Sequence, residues 1–513
     1  MRPGTLVRLA LAGTRTDVAR VVLTALSATL ATLAGLAALT VLAIPTPPPS
    51  AAPDGWTGPG NNWSEQYSNA LLREPGLRGG VAFALLLLTV PVLALAGQCA
   101  RLGAPARDRR LAALRLAGAT PGQVTRIAVM ETGVASLLGT LTGLALYLAG
   151  HQLLHRPDAH GRLPLPTDVY PSAGSTAAVV VGLPVAAALA TALLLRRVTT
   201  TPFGVVRKVR TRAPWPWPGL LIMLGLVAFA AFRPVGLWYE RRHSEPPIWL
   251  LPTLLVGGAL LAMIGVVTGT GWISHATGRL LHRYAGRPAA LLAAGRLMAD
   301  PWAGSRTLAA LLAALIFGAG AAGIRADFLA TMELNRRTGE GMGAPDDFYL
   351  RAMDLVDLAV AVAMTIAAGG LLVALVEGII ARRRAYAALV ATGVPRGTIG
   401  RSLLWQSLAP AAPAVAVALT VGYLLIRGAY PDPSGGGYPQ EVCDAGEQLC
   451  GDAATRASYV RTEFVPQVTV VPDVPWERLA WLGAGALVAV LVTVGVGLLF
   501  LRTSTALEEL RTT

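Results

Sequence analysis

The sequence contains little charge and almost no lysine, and each shortage excludes a class of protein. Only 14% of its 513 residues are charged, against about 25% in soluble globular proteins. Lys208 is the single lysine among 43 basic residues, and the V-V-R-K-V-R around it lacks the glycines and the Ser/Thr of a P-loop. A soluble enzyme, or ATP hydrolysis through a P-loop in this chain, is therefore not expected.

Cysteine is also scarce, and the three present are too few for a disulfide-stabilised scaffold. Cys443 and Cys450 share one polar loop, so a disulfide between them is reasonable if that loop lies outside the cytoplasm. Whether they are bridged stays open. No G-x-S-x-G, H-E-x-x-H or C-x-x-C pattern occurs. We therefore predict no catalytic residue, no metal site and no cofactor bound by this chain.

Hydrophobic residues make up 54% of the chain and are gathered into runs of 17 or more, near the ~20 residues that cross a bilayer as a helix. The pattern predicts an all-α integral membrane protein with ten transmembrane helices and small extracytoplasmic loops. The approximate limits are 20–44, 80–101, 123–150, 174–195, 217–233, 248–270, 305–325, 356–381, 400–427 and 477–501.

The basic residues indicate how these helices are oriented. With the N-terminus inside, 28 of the 43 fall in inner segments, and positive residues resist translocation. Both termini are therefore predicted to be cytoplasmic. Lipid headgroups explain this dispersed basic charge, so we predict contact with membrane lipids and none with nucleic acid. The excess of arginine over lysine suggests a GC-rich bacterial source, and hence the bacterial cytoplasmic membrane.

An internal repeat is the most informative feature. Residues 112–126 read A-A-L-R-L-A-G-A-T-P-G-Q-V-T-R, and residues 387–401 read A-A-L-V-A-T-G-V-P-R-G-T-I-G-R. They align without a gap at an offset of 275, follow an arginine cluster and precede a long apolar run. Two parallel, pseudo-symmetric four-helix units are therefore predicted at 1–200 and 289–513. A linker and two-helix insert lie between them at 201–288.

Each repeat has the composition of a short helix that lies along the membrane and receives a partner. Small residues allow close packing, an apolar residue provides a contact, and a glycine lets the chain turn into the next span. The arginines before it can bind anionic lipid or acidic residues of a partner. An ordinary basic inner loop would need no partner, but its recurrence 275 residues later favours a docking surface.

At these residues the sequence resembles the FtsX-like permease family of ABC transporters. The family signature is roughly R-R-E-I-A-L-L-R-A-L-G-A-T, and residues 109–120 read R-R-L-A-A-L-R-L-A-G-A-T. The resemblance implies two copies of a separate ABC ATP-binding subunit, which would hold ATP and magnesium. They would dock on two coupling helices that contain Arg109, Arg110, Leu114, Arg115, Gly118, Ala119, Thr120, Arg383, Arg384, Leu389, Gly393, Val394 and Pro395.

Two polar residues lie at equivalent positions inside predicted spans, Glu131 in the third and Gln406 in the ninth. A buried acid in a membrane is often functional, whereas a polar residue near a helix end also serves as an interhelical hydrogen bond. For Glu131 and Gln406 the structural role, an interhelical hydrogen bond, is favoured over a functional one. Asp354 and Asp357 are expected in a solvated outer loop, and Tyr67 at the headgroup boundary.

The resemblance implies a membrane subunit that is not itself an enzyme. ATP-driven closure of the partner would move the long helices and export an amphiphilic drug, peptide or lipid, or remove it from the membrane, by mechanotransmission. Alternatively, the same motion would regulate an extracytoplasmic partner such as a cell-wall hydrolase, with nothing transported. An adjacent ATPase gene fits both hypotheses, and an adjacent hydrolase gene favours the second.

Overall fold

The long apolar runs form helices because a backbone inside lipid must satisfy its hydrogen bonds internally. The structure, a computed structural model, describes residues 15–47, 63–99, 118, 120–199, 214–247, 249–338, 346–443 and 460–504. The helices of the first half are α1 (Arg15–Ala43), α2 (Ala70–Arg73), α3 (Pro75–Cys99), α4 (Pro121–Leu153) and α5 (Ala173–Thr199).

The insert and the second half follow in the same chain order. The insert comprises α6 (Trp217–Ala230), α7 (Phe232–Arg241), α8 (Leu250–Pro252), a π-helical turn at Thr253–Gly257, and α9 (Gly258–Tyr284). The second half comprises α10 (Pro288–Ala299), α11 (Pro301–Thr338), α12 (Asp346–Ala381), α13 (Arg383–Ala391), α14 (Arg396–Ala429) and α15 (Trp476–Ser504).

Within the described residues, nine helical segments are long and apolar enough to cross a membrane. They correspond to nine of the ten predicted spans. The remaining predicted span, 80–101, falls in α3, which has 25 residues and is described as far as Cys99. The seventh predicted span ended at 325, but α11 continues to Thr338. The protein is therefore a multi-pass membrane protein, while the count of ten remains a prediction.

The two halves are each held together by close helix pairs. In the first half α1 packs against α3 and α4, and α4 packs against α5; in the second half α11 packs against α12 and α14, and α14 against α15. Small residues permit this approach: a Cβ placed on Gly139 would lie 2.2 Å from the Ala25 carbonyl oxygen, and one on Gly422 would lie 2.4 Å from that of Ile316. Helix α3 packs against α12 and so joins the halves.

The insert packs against the second half. Helices α6 and α9 pack on each other and on α14, and α9 also contacts α11. The two insert helices meet at glycines, because a Cβ on Gly225 would lie 2.4 Å from the Ala262 backbone nitrogen. Phe229, Ala262 and Val266 consequently share one buried apolar cluster with residues of α11, α12, α14 and α15.

In each half, the end at which the long helix after the repeated segment begins (α4 in the first half, α14 in the second) is called the elbow end, and the opposite end the far end. At the far end of the first half, residues 63–78 and 154–172 fold together into a cap. Tyr67 is fully buried there, and its hydroxyl donates a 2.7 Å hydrogen bond to Asp168. Tyr67 thus packs inside the protein, with its hydroxyl satisfied by a carboxylate on a distant loop, while its expected depth at the headgroup boundary stays a prediction.

Burial raises the pKa of the Tyr67 hydroxyl, and Asp168 raises it further. A raised folded-state pKa stabilises the cap fully below the ordinary tyrosine value of about 10, and this stabilisation is lost as the pH rises above it. In an alkaline absorbance titration we expect Tyr67 to ionise above the ordinary tyrosine pKa of about 10, and Asp168→Asn to bring its pKa closer to that value. A Tyr67→Phe variant identifies the Tyr67 signal. Ionisation of Tyr67 at the ordinary tyrosine pKa would contradict this cap geometry.

The segment between α14 and α15 contains strands, so the expected all-α fold was wrong in this one region. β1 (Ser434–Gly435) pairs with β4 (Val468–Thr469), and β2 (Tyr438–Cys443) pairs with β3 (Val460–Val465), both antiparallel. Cys443 is the last residue of β2, whereas Cys450 lies outside the described residues. The predicted disulfide therefore remains a prediction.

Acidic residues expected in a solvated loop lie instead on the first turns of α12. Asp354 accepts a 2.7 Å hydrogen bond from Arg325 of α11, and Asp357 pairs with both Arg325 and Arg478 of α15. These ion pairs tie the far ends of three helices to one another. The solvated-loop expectation was wrong for these two residues because α12 begins at Asp346, ten residues before the predicted span.

Candidate functional site

Each repeated segment includes the start of a long helix. The residues that lead into α4, 107–121, are called the first elbow, and those that lead into α14, 382–396, the second elbow. Of the first elbow the structure describes residues 118, 120 and 121. Helix α4 begins at Pro121 and α14 begins at Arg396, so the two starts are also 275 residues apart. The preceding residues, Thr120 and Pro395, both have extended backbones, with φ of −70° and −61°. The repeat in the sequence thus coincides with a repeat in the local structure.

A glycine with a left-handed backbone precedes each of these helices. Gly118 has φ of +91° and Gly393 has φ of +90°. No atom of the described residues lies within 4 Å of a Cβ placed on either glycine, so the backbone conformation itself favours glycine here. Other residues adopt this region at a cost of about 1–2 kcal/mol. The predicted role of the glycines as turning points is consistent with this geometry.

The second elbow ends α13 with a Schellman motif. The Gly393 N–H donates to the Val390 carbonyl, and the Val394 N–H donates to the Leu389 carbonyl, both at 3.0 Å. Such a motif satisfies the last carbonyls of a helix and brings the residue after the glycine against the last turn. The motif therefore fixes the direction in which the chain leaves α13, and α14 begins two residues later, at Arg396.

The first elbow uses a different device at the same place. Thr120 caps α4 with a capping box, in which its hydroxyl accepts from the Gln123 N–H and the Gln123 side chain accepts from the Thr120 N–H. Pro395, the equivalent residue, makes no side-chain cap hydrogen bond. Arg109, Arg110, Leu114, Arg115 and Ala119 lie outside the described residues.

Helix α13 has an inward face that anchors it to the bundle. Tyr386 is 1% exposed and packs with Ile379, Ile399 and Leu403 in a buried cluster. Leu389, Val390 and Val394 are half-buried against the same cluster. Three residues predicted from the sequence therefore lie near one another in the second elbow: Leu389, Gly393 and Val394.

The opposite face of α13 is small and exposed. Ala385, Ala388, Ala391 and Thr392 are all exposed, and their spacing places them along one side of the helix. Arg383 and Arg384 form its first turn. A partner could approach this face closely because no large side chain among these four residues holds it away. Leu389, predicted as a coupling residue, faces the bundle more than this surface.

The two polar residues inside the spans lie at equivalent places in α4 and α14. Glu131 is 8% exposed. Gln406 is half-buried, and its Oε1 has no hydrogen-bond partner among the described residues. The interhelical hydrogen bond expected for this pair is therefore not made by the Gln406 oxygen within the described residues.

Sequence reasoning missed the residues that hold the second elbow from the side. Arg296 of α10 donates a 2.6 Å hydrogen bond to the Tyr386 hydroxyl, and Asp300 lies 3.9 Å from Arg382. One signal in the sequence pointed to such a contact: Tyr386 is an aromatic residue in a segment rich in alanine. Its partner is 90 positions away, which no local pattern indicates.

Comparison with known proteins identifies the chain's relatives at the level of the family. The family profile described as FtsX-like permease C-terminal matches residues 79–203 and 358–508, which together make up just over half of the chain and contain both elbows. No curated protein and no solved structure matches the chain in the other two comparisons. The two matched segments, each with its left-handed glycine before a long helix, show that the chain belongs to the FtsX-like permease family.

Proposed function

We propose that this chain couples a separate ABC ATP-binding subunit to the export, or removal from the membrane, of an amphiphilic drug, peptide or lipid. Two copies of the ATP-binding subunit dock on the two elbows at the cytoplasmic face. The observation that supports this most directly is the pair of elbows, which share a left-handed glycine and a helix start 275 residues apart. The chain supplies no catalytic group to ATP hydrolysis.

The helices give the elbows a mechanical connection to the far end. Helix α14 contains 34 residues and is therefore about 50 Å long. Its start is joined to α13 by the Schellman motif, and the buried cluster around Tyr386 leaves α13 little freedom to move separately. Closure of an ATPase dimer that displaces the elbow is then carried along rigid helices to the far end. This is mechanotransmission in physical terms.

At the far end of the second half, ion pairs connect three helices. Arg325, Asp357 and Arg478 join α11, α12 and α15, so displacement of one of these helices is passed to the other two. β1 and β4 rest on α11, with Gly435 against Leu334. A change at the second elbow therefore reaches the strands that lie between α14 and α15.

The exposed face of α13 provides the direct test. We expect Ala388→Glu, combined with Ala113→Glu at the equivalent position of the first elbow, to reduce co-purification of the ATP-binding subunit at least about tenfold, because a bulky charge replaces a small residue in each contact. Ala388 is preferred over Leu389, since Leu389 packs against the buried cluster and its replacement would disturb folding. The measurement is pull-down of the ATP-binding subunit from detergent-solubilised membranes.

The control places the same substitution on an exposed alanine away from the elbows. Ala159→Glu, in the loop after α4, should leave partner binding unchanged. Undiminished binding in the Ala388→Glu, Ala113→Glu double variant would overturn the assignment of the elbows as the docking surface.

A reconstitution distinguishes transport from regulation. The complex is placed in vesicles with a fluorescent phospholipid or a labelled amphiphilic peptide, and ATP is added on the elbow side. ATP-dependent movement of the probe supports the proposed transport. ATP hydrolysis that moves neither probe but changes the activity of an added cell-wall hydrolase would favour the regulatory alternative instead.

A further inference from the structure

Tyr386 contacts Arg296, a residue of α10 that lies outside the second elbow. Its ring is 1% exposed, and its hydroxyl accepts a 2.6 Å hydrogen bond from Nη1 of Arg296. The Arg296 guanidinium carbon also lies 4.7 Å from the centre of the Tyr386 ring. One arginine thus contacts both the hydroxyl and the ring of a buried tyrosine, through a hydrogen bond and a cation–π interaction.

Arg296 stands on a well-supported helix. Helix α10 buries one face formed by Ala289, Ala290, Ala293, Ala294 and Leu297. That face packs against α9 and α14, and the Leu297 side chain would lie 2.9 Å from a Cβ on Gly278. The base of the arginine is therefore fixed, and the contact is made between two anchored elements.

A second pair joins the same two parts of the chain. Asp300, the residue after α10, lies 3.9 Å from Arg382, the residue before α13. Both side chains are more than one-third exposed, 40% and 35%, so solvent weakens this pair. It adds a second, weaker tether beside the buried one.

The first elbow has no equivalent of Tyr386. At the offset of 275 the matching residue is Leu111, which has no hydroxyl and no aromatic ring. A guanidinium at the corresponding place could make neither interaction with it. The two elbows therefore differ in the very residue that ties the second elbow to the helix before α11.

We infer that Arg296 is a positioning residue that clamps the second elbow to α10 through Tyr386, so that α13 moves together with α10 and α11 while the first elbow does not have this clamp. Motion of the partner at the second elbow is then delivered to α11 as well as to α12 and α14. The clamp itself needs no partner protein, whereas its role in coupling rests on the proposed function.

The clamp is tested first in the isolated chain. Spin labels are attached at Ala299→Cys and Ala391→Cys, two exposed sites on α10 and beside the Schellman turn, after the three native cysteines are replaced. We expect a narrow distance distribution, broadened about twofold by Arg296→Gln or by Tyr386→Phe, with no further broadening in the double variant because the residues act as one pair. Arg296→Lys, which keeps a cationic donor, should restore part of the narrowness.

The matched control is Arg287→Gln, which removes an exposed arginine at the start of the same helix. Distances that stay narrow in Arg296→Gln and Tyr386→Phe, or that broaden equally in Arg287→Gln, would overturn the clamp whether or not the chain binds an ATPase.

The role in coupling is tested next in the complex with the ATP-binding subunit. Arg296→Gln and Tyr386→Phe should leave the affinity for the ATP-binding subunit unchanged but lower the amount of probe moved per ATP hydrolysed about fivefold. Retained coupling in variants with broadened distances would overturn the transmission role. Absence of ATPase binding by the unmodified chain would instead refute the proposed function and leave the clamp standing.

Discussion

Gly422→Ala should destabilise the second four-helix unit by about 1–3 kcal/mol, because the added methyl group overpacks a well-packed contact. A Cβ on Gly422 would lie 2.4 Å from the Ile316 carbonyl oxygen and 2.9 Å from the Ala319 side chain. The nearer of these atoms belongs to the backbone, so no rotamer change can relieve the clash. Helices α11 and α14 must separate, and the cluster that contains Leu312 and Leu315 opens with them.

The measurement is thermal unfolding of the purified chain in nanodiscs, monitored as the temperature at which the chain aggregates. The matched control is Gly369→Ala in α12, where an added Cβ has no neighbour within 4 Å among the described residues. That change should be neutral or stabilising, because alanine favours a helix over glycine by about 1 kcal/mol.

The first half offers an independent copy of the same experiment. Gly139→Ala places its Cβ 2.2 Å from the Ala25 carbonyl oxygen, whereas the Cβ of Gly182→Ala in α5 meets nothing within 4 Å in the part of the chain that the structure describes. Equal stability of Gly422→Ala and Gly369→Ala, or of the Gly139 and Gly182 pair, would show that these helices do not approach each other as described.

Arg78→Met should unfold the far-end cap while leaving the spans assembled. The Arg78 side chain is 5% exposed and donates to four backbone carbonyls and one hydroxyl: Ile44, Pro45, Leu72, Arg73 and Ser64. Hydrogen bonds from a charged donor contribute about 1.5–3 kcal/mol each, though not additively. We expect a loss of about 2–4 kcal/mol of cap stability, at the upper end of single-residue effects.

Limited proteolysis of intact membranes reads out the cap, because residues 63–78 become cleavable once their carbonyls lose Arg78. Arg156→Met provides the matched control, since it removes an exposed arginine from the same end of the bundle. Cleavage at the same rate in Arg78→Met and Arg156→Met would contradict the role of Arg78 as the centre of the cap.

These two predictions concern contacts that would transmit the motion of an elbow to the far end. The glycine contacts hold the long helices close together, so displacement of an elbow would be passed on through the bundle. The cap, through Tyr67 and Arg78, keeps the ends of α1 and the loop after α4 together at the far end. Damage to either should reduce coupling without touching the docking surface.

The spans and the elbows were predictable because each depends on local sequence. A run of apolar residues in a membrane must form a helix, since no water is present to satisfy its backbone. Glycine permits the left-handed backbone that Gly118 and Gly393 both adopt. The repeat was visible because both elbows need the same small residues and the same turn.

The strands after α14, the helical position of Asp354 and the burial of Tyr67 were not predictable, because each depends on a partner far away in the chain. Tyr67 is buried only because Asp168, 101 positions later, accepts its hydroxyl hydrogen bond. Leu389 was identified as a contact residue, yet the sequence alone could not say which side of α13 faces the bundle.

The sequence by itself determined that this is a doubled, multi-pass membrane protein with two matching elbows, because hydropathy, glycine placement and repetition act over neighbouring residues. Only the tertiary structure decided how those elbows are held. The Arg296 and Tyr386 side chains lie 90 positions apart in sequence and 2.6 Å apart in space, and that proximity comes from the packing of α10 against α9 and α14.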